Sequence, residues 1–423
     1  MRERLTLPGV LASLGPGLIW AAAAVGVSHL VQSTRAGASY GFALVWVVVL
    51  ANLLKYTFFE YGPRYAAATG ESLVDGYRRQ GLWAVWIYLV LTVGTMFAVL
   101  AAVTLVTGSL ATQLFGAALS PLGYSAVLLG VCAALLVPGQ YPLLDKLTKA
   151  IMVLLVVSTV GAVVAAAVAG GGRPAPPVEV DLWHPVTFPF LIALVGWMPS
   201  AVDISVWHSL WTLERAKQTR HRPRMAEALF DFNLGYLATA VLALFFLALG
   251  ALIFFGSGQE VSDSPVGFPI QLIELYTAAL GPWARPVIEL AAFTTMFSTT
   301  FTVADAFPRA LERTSVILAP RLEALGAGRF RGLYWGWMLV LVAGALLLMS
   351  VFQESLTGMV DLATTLSFLT SPILGVLNYR AVTAPHMPAG TTPPPWLRVL
   401  TWLGLAFGFL FAGLYLWWRF GIS

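Results

Sequence analysis

The chain has 423 residues, of which 58% are hydrophobic and only 10% charged, against roughly 45–50% and about 25% in soluble domains. That balance excludes a water-soluble fold of this length, and the formal net charge of +4 is too small to mark a nucleic-acid binder. The lone cysteine, Cys132, excludes a disulfide framework or a cysteine metal cluster and reads as a small buried hydrophobe.

Runs such as 236–255 and 331–352 hold about 20 apolar residues, enough at 1.5 Å rise per residue to cross a hydrocarbon core of ~30 Å. In lipid the backbone must satisfy its own hydrogen bonds, and no alternating ten-residue pattern of a membrane barrel is present, so the fold class is all-α. The first ten residues do not read as a cleavable signal, and the first span is expected to stay in the protein. In chain order the predicted spans are 14–38, 42–67, 83–109, 121–138, 147–169, 186–211, 229–255, 286–308, 332–352, 357–379 and 398–418, eleven in all.

The charges order these spans. With a cytoplasmic N-terminus, Arg2, Arg4, Arg78, Arg79, Lys146, Lys149, the run from Arg215 to Arg224, Arg309, Arg313, Arg321, Arg329, Arg331, Arg380 and Arg398 share one side, while Arg35, Arg173, Arg285 and Arg419 face the other. The positive-inside rule then predicts a multi-pass cell-membrane protein with its N-terminus in the cytoplasm and its C-terminus outside.

Spans 1 and 6 contain breakers. Span 1 carries Gly15, Pro16 and Gly17 and then Gly26 at mid-membrane, and span 6 carries Gly196 and Pro199 near its middle. Interrupted helices at corresponding places in two halves point to an inverted-repeat transporter with its substrate at the two breaks. The expected division is 1–170 and 185–381 as five-helix repeats, 171–184 as a linker rich in proline (Pro174, Pro176, Pro177) and 382–423 as an added helix.

Particular residues then resemble a known family. Gly15 and Pro16, Ala36, Gly37, Ala38, Tyr40, Gly41 and Trp46, Leu50, Ala51 and Asn52, and Ala68, Thr69 and Gly70 resemble the first two helices of the NRAMP metal-ion transporters. Met198 and Pro199 match two residues of that family's MPH motif, and Ser298, Thr299, Thr300 and Ala304 resemble its eighth span. The resemblance implies a LeuT-like fold and transport of a divalent metal. It also implies changed chemistry, because the family's DPGN motif falls on Gly26, Val27, Ser28 and His29. The aspartate and asparagine ligands are thereby replaced by Gly26 and His29, the MPH histidine by Ser200, and no acidic pair stands in span 3.

What remains is another polar set. Ser28, His29 and Gln32 follow the first break, and Ser200, Asp203 and Ser205 follow the second. Ionisable groups inside spans are expensive and default to functional candidates. Asp203 is expected to face His29 or a cationic substrate, and His29, Met198 and Asp203, with carbonyls near Ala23 and Val195, form the candidate metal ligands. Lys55, Glu60, Asp305 and Asp361 would each cost about 2.5 to 3.5 kcal/mol at a helix centre facing lipid. Glu60 and Arg64 are spaced as a helix-surface pair. Lys55 is expected to meet Asp305 or Asp361, a built-in cation in place of a coupling ion. Three functions stay open: a metal-ion transporter, a transporter of a small organic solute or cation using Trp197 and Trp207, and a non-transporting receptor or scaffold. An enzyme is not expected, since HExxH, GxSxG and cysteine-pair motifs are missing. The expected partners are the lipid bilayer and a small ion or solute, with no cofactor and no nucleic acid.

Overall fold

The computed structural model describes residues 7–137, 141–168, 180–259, 261–321, 327–352 and 354–421, and every regular element among them is helical. In chain order these are α1 (Leu7–Ser13), α2 (Pro16–Ala24), a π-helical turn (Ser28–Ser33), α3 (Thr34–Tyr40), α4 (Val45–Thr69), α5 (Leu73–Gln80), α6 (Leu82–Phe115), α7 (Pro121–Leu136) and α8 (Tyr141–Val168). There follow α9 (Thr187–Gly196), α10 (Ile204–Thr219), α11 (Met225–Ile253), α12 (Gly267–Leu280), α13 (Arg285–Leu318), α14 (Ala327–Val351), α15 (Leu356–Val382) and α16 (Pro395–Gly421). Among the described residues, six helices are long and apolar enough to cross a membrane, or up to seven if the bent pair α1 and α2 is one span. The predicted α-class is therefore found, while eleven remains an expectation of the sequence. The linker prolines Pro174, Pro176 and Pro177 lie outside the described residues. So do Arg2, Arg4 and Arg173, and the side chains of Lys146, Lys149, Arg329 and Arg331.

Packing places the two interrupted segments inside. α2 and α3 lie on α11, α10 lies on α4, α9 on α15, and α6 runs between α7, α13, α14 and α15. The contact of α3 with α11 depends on small residues: a Cβ at Gly37 would stand 1.9 Å from the Leu247 carbonyl, and one at Gly250 would stand 2.4 Å from that of Thr34. Close backbone approach through glycine is how helices associate where lipid removes the hydrophobic drive. Large apolar side chains such as Val157, Leu339, Leu347, Trp402 and Phe409 point outward and are exposed, as a lipid-facing surface requires.

Helix ends explain the local geometry. The carboxylate of Asp231 on α11 accepts from the Gly15 and Gly17 amides at 3.0 and 2.5 Å, capping the start of α2 where the free N–H groups need an acceptor. Ser72 and Asp75 close a capping box on α5, and Gly70 ends α4 in a left-handed conformation at φ 76°. Three helices fall outside the predicted spans: α1 before span 1, α5 after span 2, and α12 before α13. The single cysteine, Cys132, is buried and free.

Candidate functional site

Both expected interruptions are present. α2 ends at Ala24, Val25 leaves helical geometry at ψ 80°, and the chain resumes as a π-helical turn at Ser28. α9 ends at Gly196 and α10 begins at Ile204. The tight fit at the second break needs glycine, since a Cβ on Gly196 would stand 2.0 Å from the Thr364 carbonyl. One hydroxyl joins the breaks: Ser28 Oγ lies 3.1 Å from the Pro199 carbonyl, 2.9 Å from that of Ala24 and 2.7 Å from His29 Nδ1. His29 Nε2 lies 2.9 Å from the Thr239 carbonyl, so it must carry a proton and donate. In the neutral ring Nδ1 then accepts the Ser28 proton. In the charged ring Nδ1 donates instead, and Ser28 is released to donate to Ala24 or Pro199.

The expected ligands have these surroundings. Both nitrogens of His29 are engaged by the protein, and Met198 is fully buried among Phe188, Val195 and Phe368. No hydrogen bond or ion pair joins His29 to Asp203 among the described residues, nor does any group of three or more His, Cys, Asp or Glu there form a metal-holding cluster. The hard, charged donors that a divalent ion needs are not gathered at the breaks.

The Lys55 amine corrects an expectation. It is buried in the bundle, away from lipid, and its partners are backbone carbonyls rather than an acid: Val195 and Gly196 at 2.9 Å each and Ser200 at 3.3 Å. It also lies 5.7 Å over the Phe59 ring. The last carbonyls of α9 carry the negative end of the helix dipole and lack intrahelical partners, so an ammonium seated there satisfies both. Asp305 is taken by Arg309 at 2.7 Å and by the Tyr334 hydroxyl at 2.7 Å. Asp361 is taken by Arg35 at 2.7 Å and by Gln32 Nε2 at 2.8 Å. The three charges grouped from the sequence thus belong to three separate sets. Gln32 belongs to the Asp361 set, accepting from Arg35 at 3.0 Å, and it ties the first interrupted segment to α15. Glu60 and Arg64 pair at 2.6 Å as their spacing implied.

Asp203 stands at the start of α10 with no hydrogen bond capping the helix, and its Oδ1 is buried without a partner. Thr92 and Tyr88 of α6 lie beside it, and the Tyr77 ring of α5 lies tilted at 5.4 Å from that of Tyr88. These α6 hydroxyls were missed from sequence, where the one available signal was their i, i+4 spacing in an apolar run. His208 was missed too; it is fully buried against Phe232, with neither ring nitrogen partnered. On the side of the basic run, a cavity of about 1280 Å³ reaches from Arg215, Arg222 and Arg313 inward to Ile19 and Trp211. At its rim Arg79 holds the Glu71 carboxyl below the usual range by hydrogen bonding.

Comparisons place this geometry among known proteins. The chain is 37% identical over 385 residues to an uncharacterised protein of Pasteurella multocida, covering 90% of this chain and 87% of that one. A segment of 81 residues, 18% of this chain and 20% of the other, is 32% identical to the divalent metal cation transporter MntH of Pectobacterium carotovorum. In fold it is similar to a mutant of the Eremococcus coleocola manganese transporter, at a TM-score of 0.71 and 15% identity over 95% of this chain and 85% of that one. It is also similar to MhsT bound to L-phenylalanine, at 0.62 and 14% over 94% and 98%. The model of the natural resistance-associated macrophage protein-like family matches residues 17–418, and the chain belongs to that family of LeuT-like, all-helical membrane proteins.

Proposed function

We propose that this protein is a secondary-active transporter that uses the NRAMP architecture on a cargo other than a tightly held divalent ion. Residues 1–170 and 185–381 act as the two repeats. Their reciprocal packing supports this, since the first interrupted segment lies on α11 and the second on α4. The cargo path runs between the breaks, past Gly26, Ser28, His29, Met198 and Ser200.

The observation that carries the reading is the Lys55 ammonium on the Val195, Gly196 and Ser200 carbonyls. A divalent ion using those carbonyls would meet the amine at about 4 Å, a repulsion of about 8 kcal/mol at an effective dielectric near 20. Gly26 supplies no charge to offset it. The amine itself supplies the positive charge that a bound ion would bring, which favours a small organic solute or a weakly bound cation as cargo. Transport of manganese, the cargo named for the Eremococcus coleocola protein, is the competing reading; it requires Lys55 to leave its carbonyls.

Flux into liposomes containing the purified protein tests this, screened over Mn²⁺, Fe²⁺, Mg²⁺ and a panel of small organic cations and amino acids. Uptake of an organic solute that stops in Lys55→Met is expected. Concentrative Mn²⁺ uptake with micromolar half-saturation would overturn the reading.

A further inference from the structure

Asp203 Oδ1 is the one buried carboxylate oxygen without a hydrogen-bond partner among the described residues. Two further orphans stand beside it, Thr92 Oγ1 and Tyr88 Oη, and all three side chains belong to residues no more than 1% exposed. Thr92 is within reach of both the Asp203 carboxylate and the Tyr88 hydroxyl, so the three atoms form one cluster. The spacing of Tyr88 and Thr92 on α6 puts their hydroxyls on one helical face, toward the start of α10. Behind them the wall is already satisfied: the Tyr77 hydroxyl donates to Asn378, whose amide donates to Ser205 Oγ and the Phe58 carbonyl at 2.9 Å each.

We propose that Asp203, Thr92 and Tyr88 bind one sodium-sized monovalent cation where α10 starts at the second break, against α6. Buried polar atoms without partners are costly, and one carboxylate oxygen with two hydroxyl oxygens beside it, none of them closing a hydrogen bond, form a donor set for a cation. One carboxylate balances one positive charge; a divalent ion would stay half-compensated in a dry site. Oxygen donors of this kind, one anionic and two neutral, suit a hard cation rather than a late transition metal. Lys55 does not fill the site, since its three bonds go to carbonyls. The N-terminus of α10 favours an anion at Asp203, whose side chain makes no capping hydrogen bond to that helix.

As a coupling-ion site this rests on the transporter reading, but cation binding is measured without any cargo, so the two fail separately. Purified full-length protein in sodium-free choline buffer would be titrated with ²²Na⁺, with unlabelled Na⁺, K⁺ and protons as competitors. The expected result is a single saturable class of Na⁺ site, abolished by Asp203→Asn. Thr92→Val and Tyr88→Phe should each weaken it by about tenfold, the scale of one lost hydrogen-bonding ligand, and Thr92→Ser should restore it. Thr92→Val is nearly isosteric, so it keeps the test valid if Asp203→Asn does not fold. No saturable Na⁺ binding would overturn the proposal, as would binding that survives Asp203→Asn. Proton uptake that depends on Asp203 without Na⁺ binding would overturn it in favour of a simple protonation site.

Discussion

Lys55 is held by two carbonyls at the end of α9 and a third, of Ser200, in the break that follows, and its removal has two separable consequences. Lys55→Met leaves buried acceptors unsatisfied, at about 1–3 kcal/mol, so a lower thermal midpoint in detergent is expected. It also removes the charge opposing a divalent ion, so Mn²⁺ affinity should rise in the same variant; an unchanged affinity would show that the amine does not control the site. Rebuilding the family's ligands requires more than Gly26→Asp with His29→Asn. A Cβ on Gly26 would stand 3.0 Å from Thr299 Cγ2, and the Thr299 hydroxyl is bound to the Ala22 carbonyl at 3.2 Å. Adding Thr299→Ala should therefore give tighter Mn²⁺ binding than the double variant alone, as calorimetry would read. The expectation that hard donors are missing at positions 26 and 29 comes from sequence alone, because Gly26 and His29 stand in a stretch set against a family motif. The sequence could not place the Lys55 amine, because the partners are carbonyls, which every residue has and no pattern distinguishes.

At the scale of elements, the interruptions were legible from Gly26, Gly196 and Pro199, since breakers act through local backbone geometry. The joining contact, Ser28 to Pro199, spans 171 positions and was not. α5 escaped because its amphipathic eight residues carry no span-length apolar signal. Helix-to-helix fit gives a direct test: Gly37→Val puts a side chain against the Leu247 carbonyl, and overpacking of this kind costs about 1–3 kcal/mol, to be seen as a lower thermal midpoint or loss of folded yield. The start of α15 is tied to the loop before α12, where Asp263 accepts from Ser355 Oγ at 2.9 Å and the Thr357 amide at 3.0 Å. Burial pushes this carboxyl up, but the Thr357 and Ser355 hydrogen bonds outweigh it and hold it below the usual range. A depressed folded-state value contributes stability above the unfolded carboxyl range near 4 and loses it as pH falls through the folded value. Thermal midpoints measured from pH 7 to pH 3 should fall less steeply in Asp263→Asn than in the wild type.

For the molecule as a whole, the apolar outer surface and the family match make a membrane protein, and the interior decides what it carries. The candidate charges fall into local sets: Arg64 with Glu60, Arg309 with Asp305, Arg35 with Asp361, and Lys55 on carbonyls. Asp203 alone among them is left with a free oxygen. This economy of charge is unlike a site built to strip water from a divalent ion. The lysine amine stands where such an ion would use the α9 carbonyls. Calorimetric titration of Mn²⁺ into the purified wild type tests it most directly. No saturable heat below millimolar Mn²⁺ is expected, and saturable sub-millimolar binding by the wild type would show that the amine does not keep the ion out.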